Sequence, residues 1–96
     1  MTNQFNIRFT MRTVAGFEPL CDFYIGKDRN TALQIFNQLE SAEELDASAI
    51  LQLDFVEIMN GLPVCQDIKH CSLQQLAGNC KMITKEVFKH RNLEQG

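Results

Sequence analysis

Tryptophan is missing from the 96-residue chain, tyrosine occurs once and proline twice. The aromatic content is almost wholly phenylalanine, seven in all, which is core material. No aromatics interleave with basic residues, and the net charge is −3 rather than positive. Both features argue against nucleic-acid binding. No apolar run approaches the roughly 20 residues of a membrane span, so no membrane association is expected. The first twelve residues lack the basic start and apolar block of a signal peptide. A cytoplasmic location is therefore expected.

Catalytic signatures are also missing. The chain has no C-x-x-C, no glycine-rich phosphate loop, no G-x-S-x-G and no H-E-x-x-H. No catalytic residue, cofactor or metal is expected, and the reading leans away from an enzyme. The four cysteines (Cys21, Cys65, Cys71, Cys80) match no zinc spacing. Without a sign of export they are expected to be free thiols, with Cys80 a small core hydrophobe on a helix.

The residues present specify a single domain. Hydrophobic residues make up 45% of the chain, enough to build a core and to make global disorder improbable on composition. Phe5, Ile7, Phe9 and Met11 alternate with Asn6, Arg8, Thr10 and Arg12, predicting a half-buried strand. A turn near Ala15-Gly16 leads to a second strand over Leu20 to Ile25, with Cys21, Phe23 and Ile25 on one face. Asp28 is an N-cap for a helix from Arg29 to Glu40, with Ala32, Phe36 and Leu39 at helical spacing. An acidic connection, 41–48, follows, in which Ser41 and Glu44 fit a capping box.

Ile50 to Met59 reads as the third strand, and Leu62 to His70 as the fourth. Asn60-Gly61 between them is a hairpin signal, since both residues tolerate positive φ. Ser72 caps a helix from Leu73 to His90 with an apolar stripe of Leu73, Leu76, Cys80, Ile83 and Val87. His90 is then placed at the helix end, where it suits the dipole. The exposed Lys81, Lys85 and Lys89 are read as a solvated face.

The predicted fold is α+β. Two ββα units, 4–40 and 50–91, form a two-layer sandwich with a four-stranded antiparallel sheet and both helices on one face. The domain covers 1–92, with a frayed tail at 92–96. The halves show a pseudo-repeat. Phe5, Ile7 and Phe9 match Leu51, Leu53 and Phe55; Pro19 and Cys21 match Pro63 and Cys65; Asp28 matches Ser72. The match breaks where Phe23 and Ile25 meet the charged Asp67 and Lys69. Apolar parity in the fourth strand moves to Val64 and Ile68, so a different register or an exposed edge is expected there.

One sheet face is left without helices. It should carry Asn6, Arg8, Thr10, Arg12, Asp22, Tyr24, Gln52 and Asp54. Arg8, Arg12, Tyr24 and Asp54 are the candidate ligand-binding residues, suited to an anion. The competing reading pairs the two arginines with Asp22 and Asp54. Val56 and Ile58 share the parity of Asp54 and, with Met59, form a candidate interface for a homo-oligomer, a dimer by default. A bulge that returns Val56 and Ile58 to the core is the alternative. A two-residue turn would set Asp54 opposite Asp67. His70 and Cys71, adjacent in a strand, should point to opposite faces.

The favoured function is a self-associating, non-catalytic interaction module. The alternative is an anionic small-ligand binder, or a small oligomeric enzyme, with a pocket on or beside the open face.

Overall fold

Residues 3–41 and 50–95 are described by the computed structural model, with side chains as far as His90. The elements run β1 (Gln4–Thr13), β2 (Gly16–Gly26), α1 (Arg29–Asn37), β3 (Leu51–Met59), β4 (Leu62–Cys71) and α2 (Leu73–Gln95). The expected acidic connection and its capping box at Ser41 and Glu44 lie largely outside the described residues.

The alternation in β1 does what its period requires. Phe5, Ile7 and Phe9 are buried, and Asn6, Arg8 and Thr10 face the other way. The strands form one antiparallel sheet in the order β2-β1-β3-β4, with all three neighbouring pairs antiparallel. The class is the expected α+β. β2 is longer than its apolar stretch indicated, because pairing with β1 continues out to Thr13 and Gly16. The β3–β4 turn has φ of 54° at Asn60 and 81° at Gly61. Those two positive values are what an Asn-Gly turn supplies.

The core lies between sheet and helices. Phe5, Ile7, Phe9, Leu51, Leu53 and Phe55 meet Ala32, Ile35, Phe36 and Leu39 of α1 and Ile83 of α2. Phe55 is the hub, stacked on Phe5 at 5.8 Å and on Phe36 at 5.3 Å between ring centres. Each such pair adds about 1 kcal/mol beyond its buried area. Leu76, Cys80 and Val87 of α2 pack on this core, but Leu73 is 60% exposed. Leu73 is the first residue of α2, directly after the Ser72 cap, and lies outside the apolar contact that Leu76 joins.

Helix ends are closed by side chains. Asp28 accepts from the Thr31 N–H at 3.2 Å and from its hydroxyl. Ser72 and Gln75 form a reciprocal capping box: the Ser72 N–H donates to Gln75 Oε1 and the Gln75 N–H to Ser72 Oγ. α1 ends at Asn37, before the expected Glu40. α2 continues past His90 to Gln95, so His90 is not at a helix end; it faces Glu86 at 3.7 Å.

Two charged or polar side chains are built into the helix side. Glu57, 5% exposed, is held by the Asn3 amide at 2.6 Å and the Arg29 guanidinium at 3.1 Å. Asn79, 2% exposed, accepts from the Glu40 N–H at 2.8 Å and donates to the Glu40 carbonyl at 2.9 Å. That pair ties the exit of α1 to α2.

Bulges correct the expected register. In β4, Phe55 faces Asp67 and Val56 faces Cys65, so Gln66 is the extra residue. Asp54 consequently faces Ile68, not Asp67, and the anticipated carboxylate pair does not form. The bulge also places Val64 and Ile68 on opposite faces, despite their equal spacing. Asp67 and Lys69 alternate onto the helix side, where the first hairpin carries Phe23.

Candidate functional site

The helix-free face is a grid of cross-strand rows. Along one row stand Asp22, Arg8, Asp54 and Ile68; along the next stand Tyr24, Asn6, Val56 and Cys65; a third holds Pro19, Thr10, Gln52 and His70. The sequence places the β1 and β3 residues, and Asp22 and Tyr24 of β2, on the correct face; Pro19 reaches it because Leu20 is an extra residue in β2. The sequence does not place Ile68 and His70 there, because their parity depends on the Gln66 bulge, whereas Cys65 lies on the turn side of that bulge and keeps the register set by the Asn60-Gly61 turn. The only warning was that the apolar alternation of the fourth strand changes phase.

The charged part of the face is largely self-paired. Arg8 donates from Nε and from a terminal nitrogen to Asp22 at 3.4 Å each. The Asn6 amide donates to the other Asp22 oxygen at 2.9 Å. Asp54, on the opposite side of Arg8, accepts from Gln52 at 2.8 Å. Arg8 thus lies between two carboxylates in one row, and its fork is engaged by Asp22. Arg12 lies four residues further along β1 on the same face, opposite the exposed Phe17. Tyr24 stands in the adjacent row beside Asn6. Arg8, Arg12, Tyr24 and Asp54 share a face, but they do not converge on a common point, because they occupy three rows.

The other half of the face is apolar. Val56 and Ile58 keep the open-face parity, because the bulge is in β4 and not in β3. Val56 is nevertheless only 3% exposed, shielded within the face by its neighbours. Ile58 is half-buried. Beside them β4 adds Pro63, Cys65 and Ile68, the last 47% exposed. Met59 does not belong to this group: it pairs with Leu62 and alternates to the helix side. Buried within the face, Asn6 Oδ1 and Thr10 Oγ1 have no hydrogen-bond partner among the described residues.

A cleft of about 370 Å³ opens where β2 hands over to α1 and the far end of α2 passes by. Ile25, Ile35 and Val87 form its apolar lining; Tyr24, Lys27 and His90 stand around it. Asp28 also borders it, its carboxyl held below the ordinary carboxylate value by its bonds to Thr31. Sequence reasoning did not find this cleft. It depends on α2 reaching back to β2, and no local pattern encodes that.

His70 and Cys71 diverge as expected. His70 pairs with Gln52 on the open face, while Cys71 pairs with Leu51 and is buried on the helix side. No cluster of three or more His, Cys, Asp or Glu side chains suited to a metal occurs among the described residues. No helix among them is long and apolar enough to cross a membrane. No family model, curated protein or solved structure matches the chain.

Proposed function

We propose that the chain is a non-catalytic interaction module that associates with a second copy of itself through the helix-free sheet face. The observation that carries this reading is the apolar lane on β3 and β4. Antiparallel sheets with one wet face alternate apolar and polar residues. In β3 the alternation fails from Phe55 onward, where apolar side chains occupy both faces: Phe55 towards the helices, Val56 and Ile58 away from them. Ile68 and Cys65 widen the lane on β4. An apolar lane on an otherwise wet face is what a second sheet covers.

Charge and area fit a second copy. The face carries Arg8 and Arg12 against Asp22 and Asp54, so its formal charges balance and two such faces meet without net repulsion. Strands of this length rise about 30 Å and four of them span about 19 Å. Their plan area, about 600 Å², approaches the roughly 800 Å² per partner that stable complexes bury. The edges are poorer candidates. Both prolines, Pro19 and Pro63, lie in the edge strands β2 and β4, and both strands carry bulges, which blunt edge pairing.

Sedimentation velocity at micromolar concentration tests the reading. The expected result is a dimer for the natural chain and a folded monomer for Ile68→Asp, a substitution at an exposed position. A natural chain that stays monomeric across that range overturns it. Val56→Asp is unsuitable, since burying a carboxylate at a shielded position destabilises the protomer itself.

A second reading rests on the cleft: a small anion with an apolar body, seated on Ile35 and Val87 with its charge towards Lys27 and His90. Thermal shift with a panel of aliphatic and aromatic carboxylates tests it. Stabilisation that Lys27→Ala abolishes supports it, and an unmoved melting temperature across the panel removes it.

A further inference from the structure

Three of the four cysteines lie on the helix side of the sheet. Cys21 faces Phe9 across β2 and β1, and Cys71 faces Leu51 at the end of β4. Cys80 stands in the stripe of α2 between Leu76 and Ile83, packed on the same core as Cys21. Cys65 is exposed on the other face. Cys21 and Cys80 meet because α2 leaves the sheet at the β4 edge and packs against β2 at the opposite edge. Val87 and His90 border the same cleft as Tyr24 and Ile25, so two turns back along α2 Cys80 comes alongside Cys21, and each thiol acts on the titration of the other. Cys71, buried at the end of β4, is influenced by both Asn79 and Cys80. The cluster thus holds one thiol pair that joins β2 to α2, with Cys71 beside it.

We propose that Cys21 and Cys80 form a reversible disulfide that staples edge strand β2 to α2, with a low-molecular-weight disulfide such as glutathione disulfide as oxidant. One cysteine thiolate attacks a sulfur of glutathione disulfide. That S–S bond breaks, a glutathione thiolate leaves, and a protein–glutathione mixed disulfide remains. The second cysteine thiolate attacks the protein sulfur of the mixed disulfide and expels the second glutathione thiolate. Two protein thiols lose two electrons, glutathione disulfide gains them, and the two protons end on two glutathione molecules.

The consequence follows from the topology. α2 is joined directly to β4 through Ser72, so a bond from Cys80 to Cys21 links both edges of the sheet. The loop it closes spans most of the described chain, and its entropy is removed from the unfolded state. Partial burial raises both thiols above their ordinary value. Exchange is therefore slow at neutral pH and quickens as the pH rises.

The test uses the full chain carrying Cys65→Ser, which removes the exposed thiol. The folded protein is incubated with glutathione disulfide at mildly alkaline pH and digested with trypsin. Cys71 and Cys80 fall in one peptide, between Lys69 and Lys81, so fragment spectra assign the bonded sulfur. The expected product has lost two hydrogens, carries a Cys21–Cys80 link, and melts about 10 °C or more higher until dithiothreitol reverses it. Adding Cys21→Ser should leave a mixed disulfide at most and abolish the shift. The proposal is overturned if the folded chain fails to lose two hydrogens while the urea-unfolded chain oxidises. It is equally overturned if the link maps to Cys71, or if a mapped Cys21–Cys80 link leaves the melting temperature unchanged.

Discussion

Lys69 reaches across from β4 to the end of α1, where its Nζ donates to the Phe36 carbonyl at 2.8 Å and the Leu39 carbonyl at 3.1 Å. The same ammonium lies 5.0 Å from the centre of the Phe36 ring. The last carbonyls of a helix have no partners within it, and α1 has no basic residue in its own last turn. Lys69 supplies the missing donor from another element. Burial pulls its pKa down, while the two carbonyls and the ring face favour the cation.

Replacing Lys69 with Met should therefore destabilise the chain by about 2 kcal/mol, the scale of lost hydrogen bonds to a charged group. Lys69→Arg should recover part of it. Urea unfolding reads the loss. Hydrogen exchange localises it: the C-terminal turn of α1 should lose protection before β1 does.

Lys69 also shows how far the sequence can be read. Comparing the two halves exposed it as a charge where Phe23 and Ile25 led to an apolar expectation. That comparison did not reveal that the charge closes α1, because the contact joins residues 33 and 30 positions apart. β1, the Asn60-Gly61 turn and the caps at Asp28 and Ser72 were legible, because each is encoded within a few consecutive residues. The Gln66 bulge was not, since one extra residue leaves only a change of phase, and with it went the placement of Ile68 and His70. The open face was therefore legible on β1 and β3, in part on β2, and misplaced beyond the bulge on β4.

Asn79 should be as sensitive as any apolar core residue. It satisfies both the N–H and the carbonyl of Glu40 from a position 2% exposed. Asn79→Ala leaves both backbone groups without their partner and should cost about 2–3 kcal/mol. Asn79→Asp keeps an acceptor for the N–H but sets a carboxylate against the carbonyl, so it should not rescue. Equilibrium unfolding of the two variants compares them directly.

Stability should fall at both ends of the pH range, for different reasons. The Asp28 carboxyl is held below its ordinary value of 3.8, chiefly by the Thr31 hydroxyl and then its N–H. The cap therefore contributes fully above that value and is lost as the pH falls through the lowered one. Asp28→Asn should flatten the acid limb. Cys71 moves the other way: burial raises it above 9.0. The folded chain then holds the proton more tightly than the unfolded chain. That contribution is complete below 9.0 and disappears as the pH rises through the raised value. Under reducing conditions, Cys71→Ser should show a shallower alkaline decline than the natural chain in urea titrations.

Pro19 and Pro63 should protect the edges rather than stabilise the fold. A proline offers no N–H to an added strand, and each stands in an edge strand that also carries a bulge. Pro63→Val supplies a donor and a β-branched side chain to the most exposed strand of the sheet. Protomer stability should change by less than about 1 kcal/mol, the span of strand preferences. Association should change in kind. Light scattering should show open-ended growth, because an edge freed on β4 can meet an edge of another copy without closing. Ile68→Asp should not suppress that growth, although it should abolish a face-to-face dimer. A Pro63→Val chain that remains at the natural assembly size would show that the bulge at Gln66 alone is enough to block the edge.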